Sequence, residues 1–168
     1  ERFDRIVSNP PFVITPRTPG VPEYEYRDGG LEGDALVASV VAGAAEHLVP
    51  GGTAQLLGNW EYRWNADGLE RVAGWASDAG LDVWVIERDL LDPARYAETW
   101  IRDGGTRTGT AEFERMCAAW LDDFVRREVA EVGFGYLVLR RPDGTAPAFR
   151  RAERASAPLD GVAGIGAH

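Results

Sequence analysis

Along this chain the apolar positions fall into two rhythms, short strand-like runs and longer stripes spaced three and four residues apart. Residues 2–8 read as a buried strand, with Phe3, Ile6 and Val7 apolar. Behind Asp34, a candidate cap, the positions Leu36, Val37, Val40, Val41, Ala44 and Leu48 repeat at helical spacing. The run closes at Pro50-Gly51-Gly52, so the pattern predicts an amphipathic helix packed on a sheet. Residues 53–57 form a short apolar strand that gives way to "GNWEYRWN". Asn65 or Asp67 then caps a second helix with Leu69, Val72, Ala73 and Ala76 on one face, ending at Gly80. Residues 82–87, "DVWVIE", are β-branched and aromatic and predict a third strand.

This β-α-β-α-β order is that of an α/β fold, a parallel sheet joined by helical crossovers. Residues 88–109 look irregular. From Thr110 the positions Phe113, Met116, Cys117, Trp120, Leu121 and Phe124 give the strongest helical periodicity in the chain. Residues 133–140, "GFGYLVLR", predict a last strand, turned off by Pro142-Asp143-Gly144. Two domain-scale segments follow: an ordered unit over 1–141, and a linker or tail over 142–168. The Pro/Gly/Tyr-rich stretch 13–33 is long for a loop of a compact domain and reads as a lid or substrate loop.

Composition narrows the classes. The chain's 168 residues, 45% hydrophobic and 10% aromatic, suffice for one globular core. Its longest apolar stretch, 35–45, is broken by Ser39 and Gly43 and falls short of the about 20 residues of a membrane span. With 18 Lys and Arg against 27 Asp and Glu, the net charge of −9 disfavours nucleic-acid binding unless basic residues cluster. Arg140, Arg141, Arg150, Arg151 and Arg154 do gather, but with Phe149 as the one interleaved aromatic they read as a solvated tail. Cys117 is the single cysteine, and His47 and His168 are the two histidines, so no disulfide and no Cys/His zinc site is expected. A reducing, cytoplasmic setting fits, with no membrane and no metal partner. The glycines of "GVAGIGAH" follow no strand, and "GGTRTGT" lacks the Gly-Lys-Ser/Thr ending of a phosphate loop.

Chemistry concentrates at residues 3–12, "FDRIVSNPPF". Two successive prolines supply no backbone N–H, so strand pairing stops at Asn9. Taken alone, Asn-Pro-Pro is either a stiff turn or a site. Its position beyond the carboxyl end of a strand in an α/β sheet favours a site, because ligands bind there.

With this context the sequence resembles the Asn-Pro-Pro-Tyr/Phe subgroup of class I S-adenosylmethionine-dependent methyltransferases, which includes release-factor glutamine methyltransferases and small-domain ribosomal RNA guanine methyltransferases. "FDRIVSNPPF" is similar to that family's fourth strand and catalytic motif, and "GGLEGDALVASVVAGAAEHLVPGG" to the loop and helix after it. The resemblance covers about residues 2–141. It implies a partial Rossmann-like methyltransferase sheet with strands resembling the fourth, fifth, sixth and antiparallel seventh, the last inserted between its neighbours, and flanking helices, with the helix at about 110–130 as an insertion between the last two strands.

The resemblance also implies a site of Asn9, Pro10, Pro11 and Phe12, with S-adenosylmethionine as donor and Asn9 as this chain's contact to it. A conjugated nitrogen is a weak nucleophile. In the implied mechanism the side-chain oxygen of Asn9 and the carbonyl of Pro10 accept its N–H bonds and orient it, Pro11 stiffens the backbone, and Phe12 offers a flat stacking face. The family's glycine-rich cofactor loop and ribose-binding acid have no counterpart here. The chain is therefore expected to be the C-terminal half of a methyltransferase domain, with the missing N-terminal half as partner and no activity alone.

Further candidates are weaker. Trp60, Glu61, Tyr62 and Trp64 follow the second strand and either line a substrate pocket or cover the core. Tyr26, with Tyr24, either closes over substrate or decorates the surface. Asp4 matches a family position and is read as a structural hydrogen-bonding residue, His47 as a favourable helix-end charge, Cys117 as core, and the stripe with Met116 and Trp120 as core or a surface for a missing partner domain. The leading function is N-methyl transfer to a planar amide or exocyclic amine, on protein glutamine or a nucleobase in RNA. The alternatives are a non-catalytic methyltransferase-like interaction module, or an unrelated α/β binding domain in which Asn9 sits in a satisfied turn.

Overall fold

The computed structural model describes residues 1–24, 26–144 and 148–155. Strand β1 spans Phe3–Ser8, helix α1 Ala35–His47, strand β2 Leu48–Arg63, helix α2 Gly68–Asp78 and strand β3 Asp82–Leu91. Helices α3, Pro93–Asp103, and α4, Ala111–Arg126, come next, then strands β4, Val129–Arg140, and β5, Arg150–Arg154. The sheet order is β1-β2-β4-β3-β5. β4 runs antiparallel to both β2 and β3, while β1 is parallel to β2 and β5 to β3. A single reversed strand inserted between two parallel neighbours is the arrangement implied by the resemblance.

Several boundaries differ from the pattern reading, each for a physical reason. β2 begins directly after α1 and runs through "GNWEYR", because β4 pairs with it from Thr53↔Arg140 to Arg63↔Val129. Partners from a distant segment thus convert an expected loop into strand. β3 continues past Glu87 to Leu91 after a register shift between Glu87 and Asp89. Within 88–109, expected to be irregular, lies α3: the Asp92 carboxylate accepts from the N–H groups of Ala94 and Arg95, and Pro93 occupies the first turn.

Residues 150–154, expected in the tail, form β5; residues 145–147 and 156–168 of that tail, with "GVAGIGAH", lie outside the described residues. Asp67, not Asn65, caps α2 by accepting from Glu70 N–H at 3.0 Å, and Thr110 caps α4 as expected. Asp34 makes no capping bond; its carboxylate instead takes the Glu61 N–H at 2.9 Å and the Arg71 guanidinium at 2.6 Å.

Alternation along β2 sends Ala54, Leu56, Trp60 and Tyr62 to one face, where α1 and α2 cover them together with Val83, Val85, Leu137 and Leu139. On the opposite face, α3 and α4 bury Tyr96, Ile101, Trp120 and Phe124 against Val132 at one end of the sheet only. Beside that packing the face stays open. β1 is correspondingly not a buried strand: Phe3 and Val7 are 43% and 71% exposed, and Ile6 alone of its apolar residues packs on the core.

Candidate functional site

The chain leaves β1 at Ser8, paired with Leu56, and Asn9 follows without a ladder partner. Asn9 is exposed and, among the described residues, its side chain makes no hydrogen bond. It lies at the rim of a cleft of about 450 Å³ floored by Leu57, Ile86, Tyr136 and Val138, on the sheet face that the helices leave open. A turn that satisfied the Asn9 side chain would look different.

Pro10 is buried and Pro11 half-buried. The chain then turns inward at Phe12, whose ring lies 5.5 Å from that of Phe134 with the planes tilted by 40°. Phe12 also pairs through a bridge with Asp28, and Val13 N–H donates to Arg27 O at 2.8 Å. The described residues of segment 13–33 are thus irregular but held down. Ile14 N–H donates to the Tyr96 hydroxyl at 3.0 Å, Tyr24 to Gly104 O at 3.1 Å, and Arg27 pairs with Asp103 at 2.5 Å.

Phe12 opens a second pocket of about 290 Å³ between α3 and the sheet, lined also by Leu91, Trp100 and Phe134. Its floor is polar but closed. Asn59 donates to Gly133 O at 3.0 Å and accepts at 3.0 Å from the Tyr96 hydroxyl, which itself accepts from Ile14 N–H. Burial holds the Tyr96 phenol protonated well above the ordinary tyrosine range. In register, Leu57 faces Tyr136 and Asn59 faces Phe134, so the two hollows are successive steps along one face.

Trp60 and Tyr62 line neither hollow, and their packing accords with the second of the two readings given them, cover of the core. Strand alternation turns both to the α1/α2 face, where Trp60 Nε1 and the Tyr62 hydroxyl donate to Glu87 Oε2 at 3.0 and 2.7 Å. Arg154 on β5 pairs with the other oxygen of Glu87 at 2.7 Å. Burial and the Glu87 carboxylate push the Tyr62 phenol far up, against the smaller opposing effect of Arg154.

Glu61, fully buried, pairs with Arg127 and Arg63; Arg127 also binds Asp123 at 2.7 Å, tying α4 to β2. Trp64 is exposed at the following turn. Tyr26 is 70% exposed and meets Tyr24 edge-on at 5.9 Å, with the Arg27 guanidinium 5.8 Å from its ring and 5.6 Å from that of Trp100. It borders neither hollow, though it stands near the helix that walls the second.

Of the remaining residues, Asp4 is exposed and, among the described residues, makes no side-chain hydrogen bond, so the structural bond expected of it is not formed. His47 lies at the end of α1, with Nδ1 3.2 Å from Glu1 O. Cys117 packs at the edge of the α3/α4 core, and burial raises its thiol pKa. The expected basic cluster is neutralised in place: Arg140 pairs with Asp82, Arg150 with Glu70, Arg151 with Glu153 and Arg154 with Glu87. Among the described residues no group of three or more His, Cys, Asp or Glu is arranged to hold a metal, and no helix is long and apolar enough to cross a membrane.

No family model matches the chain. A curated relative, the release factor glutamine methyltransferase of Geobacter sulfurreducens, is 46% identical over 59 residues. The match covers 31% of this chain and 21% of that protein. The chain thus matches about a fifth of its relative's length. Partial sequence similarity to a methyltransferase is established.

Among solved structures, a Galdieria sulphuraria protein described as a sarcosine dimethylglycine methyltransferase aligns with a TM-score of 0.37 at 14% identity, covering 84% of this chain and 54% of that one. The [4+2]-cyclase SpnF aligns at 0.37 and 14%, covering 85% and 51%. Haemonchus contortus phosphoethanolamine N-methyltransferase 2 in complex with S-adenosyl-L-methionine aligns at 0.36 and 10%, covering 83% and 33%. The mixed α/β fold itself is read from the sheet's own connectivity.

Proposed function

We propose that this chain forms the acceptor-gripping part of an S-adenosylmethionine-dependent methyltransferase acting on a planar amide or exocyclic amino nitrogen. The observation that carries the proposal is the state of Asn9: a carboxamide just past a strand end, exposed, free of side-chain hydrogen bonds among the described residues, and at the rim of an open cleft. A polar side chain held there by two prolines is available to a ligand without first breaking a contact.

The cleft suits one part of a cofactor site, with Asn9 as the residue of this chain that would touch the donor. When bound, S-adenosylmethionine supplies an electrophilic methyl group on a sulfonium. Residues 1–141 offer no glycine-rich loop after a first strand and no ribose-binding acid, so the proposal assigns those parts to an N-terminal half of the intact domain.

The work of this chain is orientation. Asn9 Oδ1 and the Pro10 carbonyl each accept an N–H of the acceptor nitrogen, which fixes its remaining lobe in one direction and lets positive charge develop next to two oxygens. Pro11 restricts the backbone that carries both acceptors, and Phe12 presents a ring face to a planar group. Transfer would form the N–CH3 bond as the donor's S–CH3 bond breaks, and the methylated nitrogen, made acidic by its positive charge, would give up one N–H proton to water, so no strong base is required.

The test is product identification. Full-length protein incubated with methyl-labelled S-adenosylmethionine, a glutamine peptide and an RNA acceptor is expected to leave label on an amide or exocyclic amino nitrogen. Label on oxygen, sulfur or carbon, or on no acceptor, would overturn the proposal.

A further inference from the structure

We infer that the 290 Å³ pocket between α3 and the sheet receives an apolar side chain of aromatic size from a polypeptide acceptor, one or two residues away from the group gripped at Asn9. This rests on the amide-transfer reading above and names its substrate class. The pocket follows the Asn9 cleft by one register step, from Leu57 and Tyr136 to Asn59 and Phe134. Two residues of strand amount to about 7 Å. A group held at Asn9 reaches toward the pocket through one or two backbone links of about 3.8 Å each, and Phe12, three residues after Asn9 in the chain, lines the pocket.

The lining decides the chemistry. Phe12, Phe134, Trp100 and Leu91 form the walls. The two polar groups of the floor are already committed to one another and to the backbone, Tyr96 both donating to Asn59 and accepting from Ile14, and Asn59 donating to Gly133 O. A nucleobase carries donors and acceptors around its edge that would lose water here and find few partners, whereas a phenylalanyl or leucyl side chain has none to lose. The one charged residue in the lining, Asp89, is an exposed carboxylate and opposes a phosphate-bearing ligand.

Saturation-transfer NMR on the full-length protein, with N-acetyl-phenylalaninamide and cytidine as probes, tests this without requiring turnover. The phenylalanine probe is expected to bind and cytidine not. Thr99→Trp, which fills the pocket from the exposed side of α3, should weaken probe binding about tenfold or more. Trp100→Ala should weaken it too, a second route should either variant fold poorly.

Glutamine peptides with phenylalanine one or two residues from the glutamine should be methylated with a kcat/KM about tenfold above their glycine counterparts. Cytidine binding that Thr99→Trp blocks, phenylalanine binding indifferent to both variants, or equal rates for the two peptides would overturn the inference. A protein that binds the probe in the pocket yet methylates nothing would overturn the function proposed above, while the binding data would still locate the pocket's ligand.

Discussion

At the scale of single residues, Glu87 shows how a charge is kept inside this protein. Its carboxylate is 2% exposed and receives Trp60 Nε1, the Tyr62 hydroxyl and Arg154 Nε. Glu87→Ala would strand two buried donors, and we expect a loss of about 3 kcal/mol in urea unfolding. Gly133 sits against the same cluster, where an added Cβ would overlap the Trp60 indole. Tyr62 and Tyr96 both have phenol pKa values raised by burial. Raised acids leave the folded state holding more protons than the unfolded one above pH about 10, so stability falls as pH rises beyond that point. In a spectrophotometric titration these two of the five tyrosines should ionise only together with alkaline unfolding. The tetrapeptide Asn9–Phe12 was legible in the sequence because proline chemistry ends a strand wherever it stands. Asn59 and Tyr96 were not: a lone asparagine after glycine reads as a turn, and Tyr96 lies in a stretch whose helix the eye misses. For Trp60 and Tyr62 the sequence left pocket lining and core cover both open, because alternation puts residues on a face without saying which face is covered.

At the scale of elements, α3 walls the proposed pocket and depends on its first turn. The Asp92 carboxylate caps two N–H groups, each at 3.0 Å, and Asp92→Ala should cost about 1 kcal/mol while hydrogen exchange at the start of α3 speeds up. The signals for α3 were present: Asp92-Pro93 is a helix start, and Tyr96, Ala97 and Ile101 share a buried face. They were outweighed by the glycines and threonines that follow. α1, α2 and α4 were readable from periodicity alone, since each buries one stripe. The length of β2 was not readable, because Gly58 and Asn59 interrupt its apolar run and the β4 ladder that holds them comes from residues some 70 positions away. β5 was hidden for a related reason: an arginine-rich segment reads as solvated until Glu87, Asp82 and Trp84 supply its partners.

At the scale of the whole molecule, one sheet carries two unequal faces. α1 and α2 cover one; α3 and α4 cover an end of the other, and the rest of that face forms the cleft with Asn9 at its rim. The Asp34–Arg71, Glu61–Arg127 and Asp123–Arg127 pairs tie the start of α1, α2 and the end of α4 around β2, the strand on which β1 and its motif-bearing end are paired. The account's central claim is that this framework exists to aim a free carboxamide at an acceptor nitrogen. Its most direct test is steady-state methyl transfer by the full-length protein carrying Asn9→Ala, alongside its thermal melting curve. Because Asn9 makes no side-chain hydrogen bond within the described fold, the melting temperature should stay unchanged while kcat falls about 100-fold or more. Turnover near that of the unmodified protein, with the fold intact, would contradict the claim.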